Sequence, residues 1–168
     1  MKNIILIGFM GTGKTSVGKE LAKYKNMDFI DMDLEIEKLE NKTINQIFKE
    51  HGELYFRKKE EKLFKNICNL ENTIISTGGG IIENENNVEL LENTNNVIWL
   101  DGDVNTIINN IQNEINNRPK LKDLKDLKTY IEELLKQRYD RYIKCSNIKI
   151  DIDNKNISQV VSEILVYI

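Results

Sequence analysis

Near the start of the chain, Gly8-Phe9-Met10-Gly11-Thr12-Gly13-Lys14-Thr15 fits the pattern G-x-x-x-x-G-K-[ST] in full. Each residue type has a physical task in that spacing. Gly8, Gly11 and Gly13 let the backbone turn sharply and approach a ligand with no side chain in the way. The amides of Gly11, Thr12, Gly13, Lys14, Thr15 and Ser16 then form an anion-binding nest at a helix N-terminus, where the helix dipole also favours negative charge. Lys14 brings a mobile cation to the β- and γ-phosphates of a nucleotide. The Thr15 hydroxyl suits Mg²⁺, a hard cation that prefers oxygen. The competing interpretation is a glycine turn between a strand and a helix.

Four further groups can act beside such a loop. Asp31-Met32-Asp33 follows a short apolar run; read as an extended segment, it sets both carboxylates on one side. One acid can orient Mg²⁺ through water, and the other can accept a hydrogen bond from a hydroxyl nucleophile. The alternative is an acid pair that complements a helix start. Arg57 lies in a helical stretch, where it can pair in two-pronged fashion with a substrate carboxylate, or with Glu60 three residues on, on a solvated face. Gly78-Gly79-Gly80 ends a strand and reads as a bare backbone wall for a small ligand, or else as a flexible turn. Arg118-Pro119 precedes the polar stretch Lys120 to Lys128, which reads as a lid; Arg118 there would stabilise charge on a transferred phosphoryl group, or lie on the surface. Arg138 and Arg141, with Tyr142 close behind, offer a second positive contact to an anionic substrate.

The elements that must hold these groups alternate. Lys2 to Phe9 is a continuous apolar run of strand length, as for a strand buried on both faces. Gly13 to Tyr24 has Val17, Leu21 and Ala22 at helical spacing. Asp28 to Asp31 is a second strand. Thr43-Ile44-Asn45-Gln46 has the form of a capping box, so a helix starts there and continues to Leu70. Thr73 to Thr77 and Asn96 to Leu100 are strands; Asp103 to about Asn116 and Asp126 to Tyr142 are helices. Ile148 to Ile152 is the last strand and Ser158 to Tyr167 the last helix. Strands separated by helices imply right-handed βαβ units and a parallel sheet. Asn-rich segments, Asn84 to Asn96 and Asn105 to Asn117, weaken the helical pattern locally.

The chain has 168 residues, the size of one domain, with 40% hydrophobic and 30% charged residues. A net charge of −3 argues against a nucleic-acid coat, and the expected partners include no nucleic acid. No apolar run approaches the ~20 residues of a membrane span, so no membrane is expected either. The first residues enter the glycine motif at once and read as a strand, not a leader. Cys68 and Cys145 stand in no metal-ligand spacing and fit a reduced, cytoplasmic chain. A monomer is the default expectation. A GTP-specific switch would need an Asn-Lys-x-Asp segment; Asn154-Lys155-Asn156-Ile157 lacks the acid.

Taken together, Gly8 to Thr15, Asp31-Met32-Asp33, Gly52-Glu53 with Phe56-Arg57 and Glu60, Thr77 to Gly80, Arg118-Pro119, and Arg138 with Tyr142 resemble the shikimate kinase family over nearly the whole chain. The resemblance implies an α/β P-loop kinase fold: a single domain, residues 1–168, with a five-stranded parallel sheet flanked by helices, like nucleoside monophosphate kinases. It implies a mobile lid at about 113–126 and a substrate-binding helical region at about 33–62. It further implies ATP-dependent phosphorylation of the 3-hydroxyl of shikimate, on the way to chorismate and the aromatic amino acids. Carried over, Lys14 and Thr15 hold phosphates and Mg²⁺, and Asp31 reaches the metal through water. Asp33 holds shikimate hydroxyls and helps deprotonate the attacking one. Arg57 and Arg138 clamp the carboxylate, the Gly78-Gly79-Gly80 backbone lines the pocket, and Arg118 covers the phosphates. The chain departs from the family in Lys120-Leu121, where two leucines usually follow Arg-Pro, and in Asn109-Asn110, where an arginine is common. Gluconate kinases share the loop but not the Phe-Arg and triple-glycine set. A non-catalytic nucleotide switch needs neither the paired acids nor two carboxylate-binding arginines.

Overall fold

Strand-length apolar runs bounded by glycine or acid dictate the centre of the molecule. In this computed structural model, which describes residues 2–112 and 126–168, β1 (Ile4–Ile7), β2 (Asp28–Asp31), β3 (Thr73–Ser76), β4 (Val97–Asp101) and β5 (Ile148–Asp151) form one sheet. Its order is β2-β3-β1-β4-β5, and every strand pairing is parallel. The described helices are α1 (Lys14–Lys25), α2 (Met32–Glu40), α3 (Ile44–Ile67), α4 (Glu85–Glu92), α5 (Val104–Gln112), α6 (Leu127–Cys145) and α7 (Ile157–Tyr167). A 3-10 turn, Ile81–Glu83, leads into α4. None of these helices is long and apolar enough to cross a membrane.

Strand alternation divides the core into two layers. Ile5, Ile7, Ile75, Val97 and Trp99 point to one face and pack with Met32, Ile36, Phe56, Phe64, Leu91 and Tyr142 from α2, α3, α4 and α6. Ile4, Leu6, Ile74, Ile98, Leu100 and Ile150 point to the other and meet α1 and α7 through Val17, Leu21, Val160 and Ile164. With both faces covered, the central strands need apolar residues at every position, as β1 has. Each such side chain contributes ~1.5–3 kcal/mol on burial. A third cluster joins Phe9, just beyond β1, to Ile107 and Ile111 of α5 and Ile131 of α6.

Several expectations shift. The first strand is Ile4–Ile7, shorter than the apolar run, because Gly8 already turns away with φ 147°. Asp31-Met32-Asp33 is not extended: Asp31 is the N-cap of α2, accepting from the Asp33 and Leu34 amides at 3.1 and 3.2 Å, and Asp33 lies in the first helical turn. The strand alternation inferred for that pair therefore does not hold. The Thr43 capping box forms as read, and α3 runs from it. That helix is interrupted at Gly52, whose φ of 79° and ψ of 175° no helix contains. Helix α4 sits in the Asn-rich stretch, which gave no helical period; Asn84 supplies its N-cap, accepting from the Asn86 and Asn87 amides. The lid segment expected at about 113–126, apart from Asp126, lies outside the described residues, and so does Arg118.

Candidate active site

The carboxyl ends of parallel strands open onto a crevice, and β1 and β4 lead their chains to opposite edges of this sheet. A cleft of about 740 Å³ lies there. The whole nest, Gly11 to Ser16, lines it, together with Asp31, Asp33, Thr77 and Gly79. Gly13 is the N-cap of α1 in left-handed geometry, φ 78°, and no side chain caps the helix. The first-turn amides of α1 are thus offered to an anion. The Lys14 ammonium, on a residue only 7% exposed, donates to the Gly8 and Phe9 carbonyls at 2.9 and 2.8 Å. Helix α5 braces the loop: Asn110 Nδ2 donates to the Gly11 carbonyl at 2.8 Å, and a Cβ on Gly11 would lie 2.7 Å from Ile111.

Thr15 and Asp31 come together although 16 positions separate them. The Thr15 hydroxyl donates to Asp31 Oδ2 at 2.6 Å, while Oδ1 caps α2. A hydroxyl and one carboxylate are oxygen donors of the kind a hard divalent cation takes, with the remaining ligands from phosphates and water. The pair fits such a cation. No cluster of three or more His, Cys, Asp or Glu residues able to hold a metal occurs among the described residues.

The triple glycine joins the two halves of the site. A Cβ on Gly79 would stand 2.9 Å from the Met10 amide nitrogen, so this backbone lies against the phosphate loop. At Gly78 the same position falls 2.8 Å from Glu60 Oε1 and 3.0 Å from Asp33 Oδ1; at Gly80 it falls on the Arg57 guanidinium. The missing side chains at Gly78 and Gly80 therefore make room for the protein's own charged groups. Tyr142 fixes this stretch by donating its hydroxyl to the Gly79 carbonyl at 2.7 Å. Complete burial raises the phenol pKa, which keeps that donor protonated.

Arg57 makes the helix pair with Glu60, at 2.7 Å, but not on a solvated face. The Glu60 side chain is wholly buried and that of Arg57 is 18% exposed, with Glu53 on Nη2 at 3.2 Å. Burial pushes the Glu60 carboxyl up to about 7, against the pull of the Arg57 guanidinium. As pH rises through that range Glu60 becomes charged and its hold on Arg57 strengthens. Among the described residues Glu60 Oε1 has no hydrogen-bond partner. Spacing exposed the pairing but not its burial, which only the approach of Gly78 reveals. Arg138 projects from α6 toward Phe9, its guanidinium carbon 5.5 Å from the ring centroid, and its Nε donates to Glu83 at 2.6 Å. Arg141 turns away to the Ile82 carbonyl and Glu85. Arg57, Arg138, Gly78 and Gly80 do not line the cleft itself; Gly78 packs on Asp33 and Gly80 on Arg57, while Arg138 lies over Phe9. Thr77 lines the cleft and donates to the Leu6 carbonyl at 2.9 Å; the sequence marked it only as the start of the glycine motif, and the brace from Asn110 was missed.

Known proteins share this arrangement to differing degrees. A family model described as shikimate kinase matches residues 10–168. A shikimate kinase of Sulfurihydrogenibium sp. (strain YO3AOP1) is 44% identical over 165 residues, covering 98% of this chain and 96% of the relative. The solved shikimate kinase from Acinetobacter baumannii, in complex with shikimate, superposes with a TM-score of 0.93 at 30% identity, over 99% of this chain and 92% of that one. A gluconokinase from Sinorhizobium meliloti 1021 shares the fold alone, at 14% identity and a TM-score of 0.56, over 98% of this chain and 89% of its own.

Proposed function

The chain belongs to the shikimate kinase family, and on that premise we propose that its cleft transfers the γ-phosphoryl group of ATP to the 3-hydroxyl of shikimate. The products are 3-phosphoshikimate and ADP, a step toward chorismate and the aromatic amino acids. The observation that carries this reading is the convergence of two sets of groups: a phosphate loop with Lys14, and Asp33 with Arg57 packed against the triple glycine beside it. Phosphoryl transfer needs positioning and charge stabilisation more than covalent chemistry, and these groups supply both.

The nest from Gly11 to Ser16 holds the phosphates, and Lys14 follows negative charge as it moves toward the leaving β-phosphate oxygen. Thr15 and Asp31 would hold the divalent cation of the kinase, here Mg²⁺, with Asp31 acting through water; the metal would neutralise charge on the phosphate oxygens. Asp33 accepts the proton of the attacking hydroxyl as the new P–O bond forms and the bond to the β,γ-bridging oxygen breaks. Arg57 and Arg138 take the substrate carboxylate, and the Gly79 backbone passes close beneath the ring. Thr106, Asn109, Asn110, Asn154, Lys155 and Asn156 line the far end of the same cleft. We assign the base of ATP to that end, and the covering of the phosphates to Arg118 in a lid at about 113–126.

Measuring ADP release with ATP and Mg²⁺ against shikimate, gluconate and nucleoside monophosphates tests the proposal. Shikimate alone is expected to stimulate release strongly. Stimulation by gluconate instead would leave only the shared fold. In the same assay Arg57→Ala should raise the shikimate KM by roughly 10–100-fold, the scale of a lost charge-assisted pair of 1.5–3 kcal/mol or so. An unchanged KM would make Arg57 only Glu60's structural partner.

A further inference from the structure

Arg138 owes its place to a residue on another element. Glu83 ends the short 3-10 turn after the triple glycine, and its Oε1 receives the Arg138 Nε–H at 2.6 Å. The base of Glu83 is anchored firmly, since Ile81 and Ile82 before it are both 0% exposed. Helix α6 clamps the same segment at two more points, Tyr142 to the Gly79 carbonyl and Arg141 to the Ile82 carbonyl. The Arg138 side chain is only 12% exposed and lies over Phe9. A guanidinium carries five N–H donors in a rigid fork. Glu83 takes the inner one, on Nε, and the Tyr142 hydroxyl hydrogen-bonds the same side chain; the donors left on Nη1 and Nη2 form one of the two edges by which a guanidinium meets a planar carboxylate in two-pronged fashion.

We propose that Glu83 is a positioning residue for the acidic substrate: by accepting the Nε–H of Arg138 it fixes the plane of the guanidinium, so that the terminal nitrogens are presented to the substrate carboxylate. The proposal deepens the reading of the cleft above and rests on Arg138 being a carboxylate-binding residue. Glu83 does not touch the substrate. Its contribution is a rotamer already chosen before binding, which lessens the ordering cost of a long side chain.

The test uses steady-state kinetics of the full chain. Glu83→Ala should raise the shikimate KM about tenfold, a loss of ~1.4 kcal/mol, with kcat and the ATP KM within about twofold of the parent. Glu83→Gln keeps an acceptor for the Nε–H and should return the KM to within about threefold. The carboxamide of shikimate, which has no carboxylate to meet, should be phosphorylated with the same KM by the parent and Glu83→Ala. An unchanged KM overturns the proposal, as does an equal rise with the carboxamide, which would mark a purely structural role. A lowered KM overturns it too, since Glu83 would then compete with the substrate for Arg138. Arg138→Ala separates the two levels of the argument. If it raises the shikimate KM while Glu83→Ala does not, only the role of Glu83 fails. If it leaves the KM unchanged, the carboxylate-binding role of Arg138 fails and the proposal with it.

Discussion

Replacing Lys14 by methionine should lower kcat/KM for shikimate phosphorylation by about 10³-fold while leaving the fold intact, a loss comparable to removing a preorganised donor that meets developing charge. Methionine keeps most of the length and apolar volume of the lysine stem and removes only the ammonium. That ammonium is held at the mouth of the loop by the Gly8 and Phe9 carbonyls, on a residue 7% exposed, so it is preorganised in a place where water screens it little. The measurement is initial-rate kinetics beside far-ultraviolet circular dichroism. Activity within tenfold of the parent, with an unaltered spectrum, would show that the nest is not where the transferred phosphate sits.

The second large effect is expected at Asp33. Asp33→Asn should lower kcat by roughly 10²–10⁴-fold, the range for a lost general base, with the affinity for an ATP analogue changed less than about threefold. The substitution keeps the volume beside Gly78 and the place in the first turn of α2. It removes the proton acceptor and one favourable charge at a helix start; the latter is worth only ~0.3–1 kcal/mol. Equal losses in turnover and nucleotide affinity would reduce Asp33 to a helix-start acid and detach it from the chemistry.

How far the sequence reaches can be judged from particular residues. The central strands were legible because a sheet covered on both faces demands apolar runs, and β1 and β4 supply them without interruption. The phosphate loop was legible because its glycines and lysine act through local backbone geometry. The Thr43 capping box was legible for the same reason. Helix α2 was legible only as the alternative, an acid pair at a helix start: it is short, and its N-cap doubles as the Thr15 partner, so the Asp31 signal read first as strand and site. Helix α4 was hidden because asparagine is a poor helix interior residue but a good cap, and only the cap role of Asn84 organises that stretch. Glu60 shows the sharpest limit. A Glu three residues after an Arg is ordinarily a surface pair. Here Gly78, Asp33 and the sheet close over it, a long-range event with no local signature. Gly78 and Gly80 are a further case: the run of glycines marked a close approach of backbone, yet the space at those two positions is filled from α2 and α3 rather than opened to solvent.

Arg57 and Arg138 are both matched by carboxylates of the chain, Arg57 by Glu60 and Glu53 and Arg138 by Glu83. Seen from a distance beyond a Debye length of ~8 Å, such pairs project almost no positive field. They therefore add little electrostatic steering of their own for an approaching acid, and the share of its encounter rate that these pairs set is nearly indifferent to ionic strength. What these two arginines contribute to telling an acid from its neutral look-alike then arises after contact, in how long each stays.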